Sequence, residues 1–221
     1  MEIPLVNIHT HRAGDSKDMS LVNIHQPFSA ITSASVSLGM HPWYLKEDRI
    51  ESDLTTMRSW LEHSSVLAIG ECGLDRKCNT PWDLQMKVFR QQLVWANDHQ
   101  KPLIIHCVRA QDEIIRELKK WKVSFLFHGF NRGKIMAQSI IQSGGYLGIS
   151  PSFLANPEKN GWVKEIPLDK VLLETDDEPF SIKEMYDTFA LLLNRDLLEL
   201  KYRLYQNAID LGINWKWDER Y

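Results

Sequence analysis

The chain has only three cysteines, Cys72, Cys78 and Cys107, in 221 residues, and their spacing builds no disulfide framework. A reduced, cytoplasmic setting is therefore expected. No run of residues is long and apolar enough to span a bilayer, and the first residues lead into a strand-like segment rather than a signal peptide, so no membrane partner is expected. Positive charge is not in excess either. Lys plus Arg number 26 against 29 Asp plus Glu, a net charge of -3, which excludes the basic stripe of a dedicated nucleic-acid-binding module. Any polyphosphate substrate must be held locally, by metal ions and a few placed cations. No Gly-rich phosphate loop opens a helix, which argues against an open doubly wound sheet. Repeats, low-complexity tracts and linkers are missing too. With 43% apolar residues and 8 Trp to fill a core, residues 1–221 read as one domain.

What is present is alternation. Short apolar runs predict strands at Leu5–His9, Leu21–His25, Ala34–Gly39, Val66–Gly70, Leu103–Ile105, Phe125–Phe127, Tyr146–Ile149 and Val171–Leu173. Helix-period segments cover Pro81–Asp98, Gln111–Trp121, Lys134–Gln142 and Ser181–Leu193. Thr80 before Pro81 reads as an N-cap, and Gly144-Gly145 as a helix stop. Strand–helix alternation predicts a parallel sheet, and eight strands predict a closed α/β barrel of the TIM-like (β/α)₈ type. The segments His11–Ser20 and Gln26–Ser33 are too short for full crossover helices, so the barrel should be irregular, with its first crossover helices missing or shortened.

The candidate chemistry lies at strand ends. His9 and His11 are two apart on the first strand and its exit, so both side chains point to one face. Glu71, His106, His128 and Asp176 each close a later apolar run, at the barrel face where active sites form. Imidazoles and carboxylates suit Zn²⁺, Mn²⁺ or a related divalent ion, with Mg²⁺ also possible. Six ligands exceed the three or four of a single catalytic zinc site. Two ions roughly 3.5–4 Å apart, bridged by a carboxylate, are the natural solution, and Glu71 is the expected bridge. Asp176 is the expected catalytic base: one oxygen can bind an ion while the other holds the attacking water. Asp177, one residue later, is its rival.

Asn7-Ile8-His9-Thr10-His11, Gly39-Met40-His41-Pro42, Ile69-Gly70-Glu71-Cys72-Gly73-Leu74-Asp75, Ile105-His106-Cys107, His128-Gly129-Phe130 and Glu174-Thr175-Asp176 resemble, in order, the signatures of the TatD-type metal-dependent deoxyribonucleases. The resemblance implies a metal-dependent TIM-barrel hydrolase acting on DNA through a metal-activated water. It also implies that His9, His11, Glu71 and Asp176 hold one ion, that Glu71, His106 and His128 hold the second, and that His41 faces the substrate phosphate. The chain departs from the family at Asn7, where an aspartate is usual, and at Val108-Arg109-Ala110, where Arg-Asp-Ala is usual. It also has Asp177-Glu178-Pro179 in place of Ala-Pro after Asp176, and lacks the Arg-Asn-Glu-Pro segment beyond it.

Other strand-end cations, Arg12, Arg76, Lys77, Arg109, Arg132 and Lys134, are candidates for phosphate contact, Arg109 foremost. His25 could line the mouth, whereas His63 and His99 read as helix-end residues. Alternation should point Cys72 and Cys107 away from the ions, and Trp215-Lys216-Trp217 could stack on bases or on another subunit. Hydrolysis of a small phosphoester, lactone or amide, and metal binding without catalysis, remain the alternative readings.

Overall fold

A computed structural model describes residues 3–12, 18–28, 31 and 35–215. Eight strands run β1 (Val6–Thr10), β2 (Met19–His25), β3 (Val36–Gly39), β4 (Val66–Asp75), β5 (Leu103–Val108), β6 (Phe125–Phe127), β7 (Tyr146–Ile149) and β8 (Val171–Leu173). They lie in chain order in one sheet, and every neighbouring pair is parallel. A parallel bridge between Thr10 and Asp176 brings the last strand back to the first. There His11 N donates to Asp176 O and Asp176 N donates to His9 O, both at 3.1 Å. The sheet is thus a nearly closed barrel, and all eight carboxyl ends share one rim. Apolar side chains pack both faces of its wall: Val6, Ile8, Leu38, Ile69, Leu103, Ile104, Leu147 and Leu172 are fully buried. Each stabilises the barrel by roughly 1.5–3 kcal/mol relative to exposure.

Helices α1 (Ile50–Trp60), α2 (Trp82–Asp98), α3 (Gln111–Leu118) and α4 (Lys134–Gln142) fill the middle crossovers. Two single-turn helices, α5 (Pro151–Leu154) and α6 (Pro157–Asn160), follow β7, and α7 (Ile182–Leu193) and α8 (Leu197–Leu211) follow β8. Local chemistry explains their ends. Ser181 and Glu184 form a reciprocal capping box on α7. Asp196 accepts from Leu198 N and Glu199 N at the start of α8, and Gly212 ends that helix with φ +104°.

Several boundaries differ from expectation. Thr80 does not cap α2; its hydroxyl donates to Pro42 O at 2.6 Å instead, tying the start of α2 to the loop after β3. Helix α3 stops at Leu118, short of Trp121. Strand β4 continues through Glu71 to Asp75, with a register irregularity between Ile69 and Cys72. Neither α1 nor α8 was expected from apolar periodicity. In the β1–β2 and β2–β3 connections none of the described residues is helical, as their lengths require; Ala34 lies outside the described residues.

Candidate metal centre

Glu71, buried within β4, sits between two groups of side chains. Its Oε2 lies 3.5 Å from His9 Nε2 and 3.8 Å from His11 Nε2. Asp176 Oδ1 completes this group at 3.5 and 3.3 Å from the same two nitrogens. Glu71 Oε1 faces the second group, 2.6 Å from His128 Nε2, 2.9 Å from His106 Nδ1 and 3.1 Å from His41 Nε2. All six expected ligands therefore meet at one rim, and His41 joins them.

Ligands of a tetrahedral ion with bonds near 2.1 Å stand about 3.4 Å apart. The edges of the first group, 3.3–3.8 Å, bracket that separation. His9 is fully buried and neither ring nitrogen has a hydrogen-bond partner. Such an orphan costs about 1–3 kcal/mol, a cost that an ion at Nε2 would remove. The mixed nitrogen and oxygen donors also suit a divalent transition ion. The residues present fit a metal.

Among the described residues, three triads have ligand atoms close enough for an ion: His9, His11 and Glu71; His9, His128 and Asp176; His41, Glu71 and His106. Proton positions argue against His41 as a ligand. Trp43 N donates to His41 Nδ1 at 3.1 Å, so Nδ1 is an acceptor and the proton of the neutral ring sits on Nε2, which donates to Glu71 Oε1. Burial lowers the pKa of His41, favouring that neutral ring. His41 accordingly presents an N–H to the site rather than a lone pair.

For His106 the arrangement is the reverse. Its Nε2 lies 3.2 Å from Asp75 Oδ2, leaving Nδ1 towards Glu71. A carboxylate behind a histidine in this way fixes the tautomer and raises ligand basicity. Behind His128 stands Glu174, fully buried, with Oε1 3.7 Å from Nδ1 and accepting from Gly129 N. A Cβ at Gly148 would meet Glu174 Oε2 at 2.3 Å, so the absence of a side chain there makes room for this carboxylate.

Burial alone would raise the Glu71 carboxyl, but His128, His106 and His41 hold it well below the usual carboxylate range. Burial opposes charge on His128 as well, yet Glu71 and Glu174 keep it protonated well above the ordinary imidazole value. Asp176 is likewise held low, against its own desolvation, by His11 and His9. The metal-free site thus balances its carboxylates with its own imidazolium protons, the protons that metal binding must displace.

The backbone that presents these groups is clamped by carboxamides. Gln26 exchanges two hydrogen bonds with His41, Nε2 to O at 3.1 Å and Oε1 from N at 3.0 Å. Gln92 does the same to Met40, and Gln85 to Asp75. Asn7 accepts from Thr175 N and donates to Thr175 Oγ1, while Asn23 Oδ1 accepts from Glu71 N at 2.7 Å. Asn7 is therefore a clamp on the residue beside Asp176 and not a ligand.

Other candidates separate. Arg109 is exposed at the end of β5, in left-handed backbone (φ +54°), and makes no hydrogen bond among the described residues. Arg12 donates to Asp177 O, Arg76 pairs with Glu113 and covers Trp82, and Lys134 pairs with Glu165. His25 stacks on Tyr44 at the mouth; exposed His63 accepts from Ser65 N, and His99 ends α2. Cys72 is fully buried, and burial pushes the Cys107 thiol up to about 12. Trp215 is partly buried against the core, which removes it as a free stacking ring, whereas Lys216 and Trp217 lie outside the described residues. Asp75, Glu174, Asn23 and Trp43 escaped the reading of the sequence. Asp75 and Glu174 were legible as carboxylates beside proposed ligands, and Asn23 as the polar residue between Val22 and Ile24.

Comparison with known proteins bears on the family and the fold. A sequence model of TatD-related DNases matches residues 7–211. The chain is 31% identical over 186 residues to the metal-dependent hydrolase YabD of Bacillus subtilis, covering 79% of this chain and 72% of that one. It is 30% identical over 196 residues to the 3'-5' ssDNA/RNA exonuclease TatD of Erwinia amylovora, covering 77% and 74%. The crystal structure of a TatD-family hydrolase from Entamoeba histolytica superposes with a TM-score of 0.77 at 15% identity, covering 96% of this chain and 99% of that one. YjjV, a TatD homologue from Escherichia coli, superposes with a TM-score of 0.69 at 24% identity, covering 80% and 76%. At these identities the two structures establish the barrel alone.

Proposed function

The chain belongs to the TatD-related DNase family, and we propose that it is a divalent-metal-dependent hydrolase of nucleic-acid phosphodiester bonds, with DNA as substrate. One observation carries the reading: Glu71 turns one oxygen to His9 and His11 and the other to His106 and His128. We assign His9, His11, Glu71 and Asp176 to one ion and Glu71, His106 and His128 to a second, each Zn²⁺, Mn²⁺ or Mg²⁺. When bound, the ions supply positive charge at the phosphate and activate the attacking water. The name of the Erwinia amylovora relative, an exonuclease of single-stranded DNA and RNA, supports nucleic acid as the substrate class.

The chain's own residues supply the rest. The backbone of Asp176 is left-handed (φ +53°), a costly state for an aspartate, and its N–H and C=O are both held by β1. That aims Oδ1 at His9 and His11, while Oδ2 makes no hydrogen bond among the described residues. Oδ2 is the atom we assign to take the water's proton. Asp177 is exposed and its carbonyl is tied to Arg12, so it is the poorer base. His41 Nε2–H, held by Glu71 in the metal-free site, is the donor we assign to the phosphate once the ions take that carboxylate, and Arg109 stands free at the rim to meet the chain beyond it. No helix among the described residues is long and apolar enough to cross a membrane, and the three thiols are unpaired. Both fit a cytoplasmic enzyme.

The test is a labelled single-stranded oligonucleotide incubated with Mg²⁺, Mn²⁺ or Zn²⁺, beside protein exhaustively chelated and dialysed. Cleavage should require the ion. Chelation should also lower the melting temperature, because an ion at a hundred times its Kd stabilises the native state by about 2.7 kcal/mol. Hydrolysis at full rate by the chelated protein would sink the proposal.

A further inference from the structure

We infer that Trp43 is a base-stacking residue, holding the unpaired nucleobase next to the scissile phosphate, with Tyr44 extending the platform. The inference rests on the nuclease reading above. Both side chains lie on the 3₁₀ turn Pro42–Tyr44 that follows β3, and they are 54% and 40% exposed. Trp43 is nevertheless fixed. Its ring meets His41 edge-on at 4.9 Å and His106 at 5.4 Å, with interplanar angles of 82° and 79°. Its Nε1 donates to Asp75 Oδ2 at 2.6 Å. Contacts on three sides leave the ring little rotational freedom, so a base can stack on its open face without the entropic cost of ordering a mobile side chain. Tyr44 is anchored in the same way, stacked on His25 at 4.5 Å with an interplanar angle of 19°.

Position and charge point to a nucleobase as the occupant. One end of the indole touches the imidazole that offers an N–H to the site and the imidazole assigned to the second ion, so its open part lies beside the reacting phosphate. With a net charge of -3 the chain has no excess of cations to hold a polynucleotide by its backbone. Aromatic stacking holds single strands without sequence preference, and it reaches only bases that are not already paired and stacked in a duplex.

The experiment compares two labelled single-stranded oligonucleotides of equal length, one normal and one with abasic sites at the cleaved end. Both are followed as substrates of metal-loaded enzyme and, by fluorescence anisotropy, as ligands of metal-free enzyme in chelator. Trp43→Leu should raise KM and Kd for the normal strand roughly 5- to 100-fold, the span of one lost base stack, with far less change for the abasic strand. Trp43→Phe, which keeps a ring but loses the N–H, should retain most of the preference for the normal strand even where its kcat falls. A purely structural Trp43 would shift both strands equally, and that result, or an undiminished base preference in Trp43→Leu, overturns the inference. If the wild type cleaves neither strand the nuclease reading falls, and the anisotropy ratio still decides Trp43: a preference for the normal strand that Trp43→Leu abolishes upholds stacking, and equal binding of both strands ends it.

Discussion

Asp75→Asn removes one charge from a residue that touches no assigned ion, yet it should weaken the hold on the second assigned metal. In the structure Asp75 faces three donors. Oδ2 accepts from Trp43 Nε1 at 2.6 Å and meets His106 Nε2 at 3.2 Å, while Oδ1 accepts from Lys77 N at 2.6 Å. An asparagine has a single acceptor oxygen. If that oxygen stays on Lys77 N, the new NH₂ group confronts the indole N–H and the His106 N–H. The cheapest relief is for His106 to move its proton to Nδ1, the atom that faces Glu71. The lone pair assigned to the second ion is then gone. Losing the carboxylate behind a ligand histidine typically weakens metal binding 10- to 100-fold, or about 1.4–2.7 kcal/mol. The first group, around His9 and His11, is untouched. Competition against a chromophoric chelator, with metal content measured by atomic absorption, should show one ion at wild-type affinity and one weakened. Two ions held at wild-type affinity would refute the tautomer argument, and with it the positioning role of Asp75.

Three further outcomes are expected. Asp176→Asn should bind substrate and at least one ion but lose turnover by roughly two to four powers of ten, together with the acidic limb of the pH–rate profile; a near-normal rate, with Asp177→Asn inactive, would move the base one residue on. His41→Ala should keep its full metal content, measured directly, while turnover falls roughly a hundred-fold for the lost donor; loss of an ion with the imidazole would make His41 a ligand. Glu117 is buried and paired with Arg90 at 2.9 Å and with Lys120 at 2.9 Å, chiefly Arg90 holding its carboxyl down to about 2 from 4.5. A depressed carboxyl contributes stability that is complete above the unfolded value and is lost as pH falls through the folded one. With half-exposed cations as partners it should be worth about 1–2 kcal/mol. Thermal melts should therefore show Glu117→Gln less stable than wild type at pH 7 and the difference vanishing towards pH 2; parallel melting curves down to pH 2 would contradict this.

The barrel was legible because its signal is carried by apolar runs of three to six residues, and these need only local composition to be seen. Phe125–Phe127, Tyr146–Ile149 and Val171–Leu173 are strands to the residue. Strand β4 was read as ending at Gly70, five residues short, and it runs on through Gly73 to Asp75. The actual role of the two glycines is close approach: a Cβ would meet Ile104 O at 2.5 Å and His106 O at 1.9 Å. Only the three-dimensional pairing with β5 reveals that. Helix α1 buries just Ile50, Asp53 and Met57, too thin a stripe to stand out. Helix α8 was announced by Asp196 and Gly212, end signals that were present in the sequence and passed over. In the site, the ligand candidates were readable one by one, since each lies on or directly follows a short apolar run. Their pairings with the residues behind them were not, because Asp75 and His106, or Asn7 and Thr175, are far apart in sequence and meet only where neighbouring strands lie side by side.

Those partners show how a site crowded with like groups keeps its shape. Six imidazoles and carboxylates within a few ångströms cannot hold themselves in place by mutual attraction alone, since the contacts they make depend on where the protons are. The scaffold does not. Gln26, Gln92 and Gln85 are buried, uncharged at any pH, and each grips the main chain of a site residue or its neighbour through a pair of hydrogen bonds. Asn7 secures Thr175 with the same pair, and Asn23 accepts from Glu71 N. An amide side chain offers a donor and an acceptor at fixed separation, and so serves as a short substitute strand wherever a loop has left the sheet. An aspartate at position 7 could accept from Thr175 but could not donate to it. The departure at Asn7 therefore fits the scaffold. It replaces a titratable clamp by one indifferent to the charge of the ions and protons beside it, so the ligand positions can be set before either arrives.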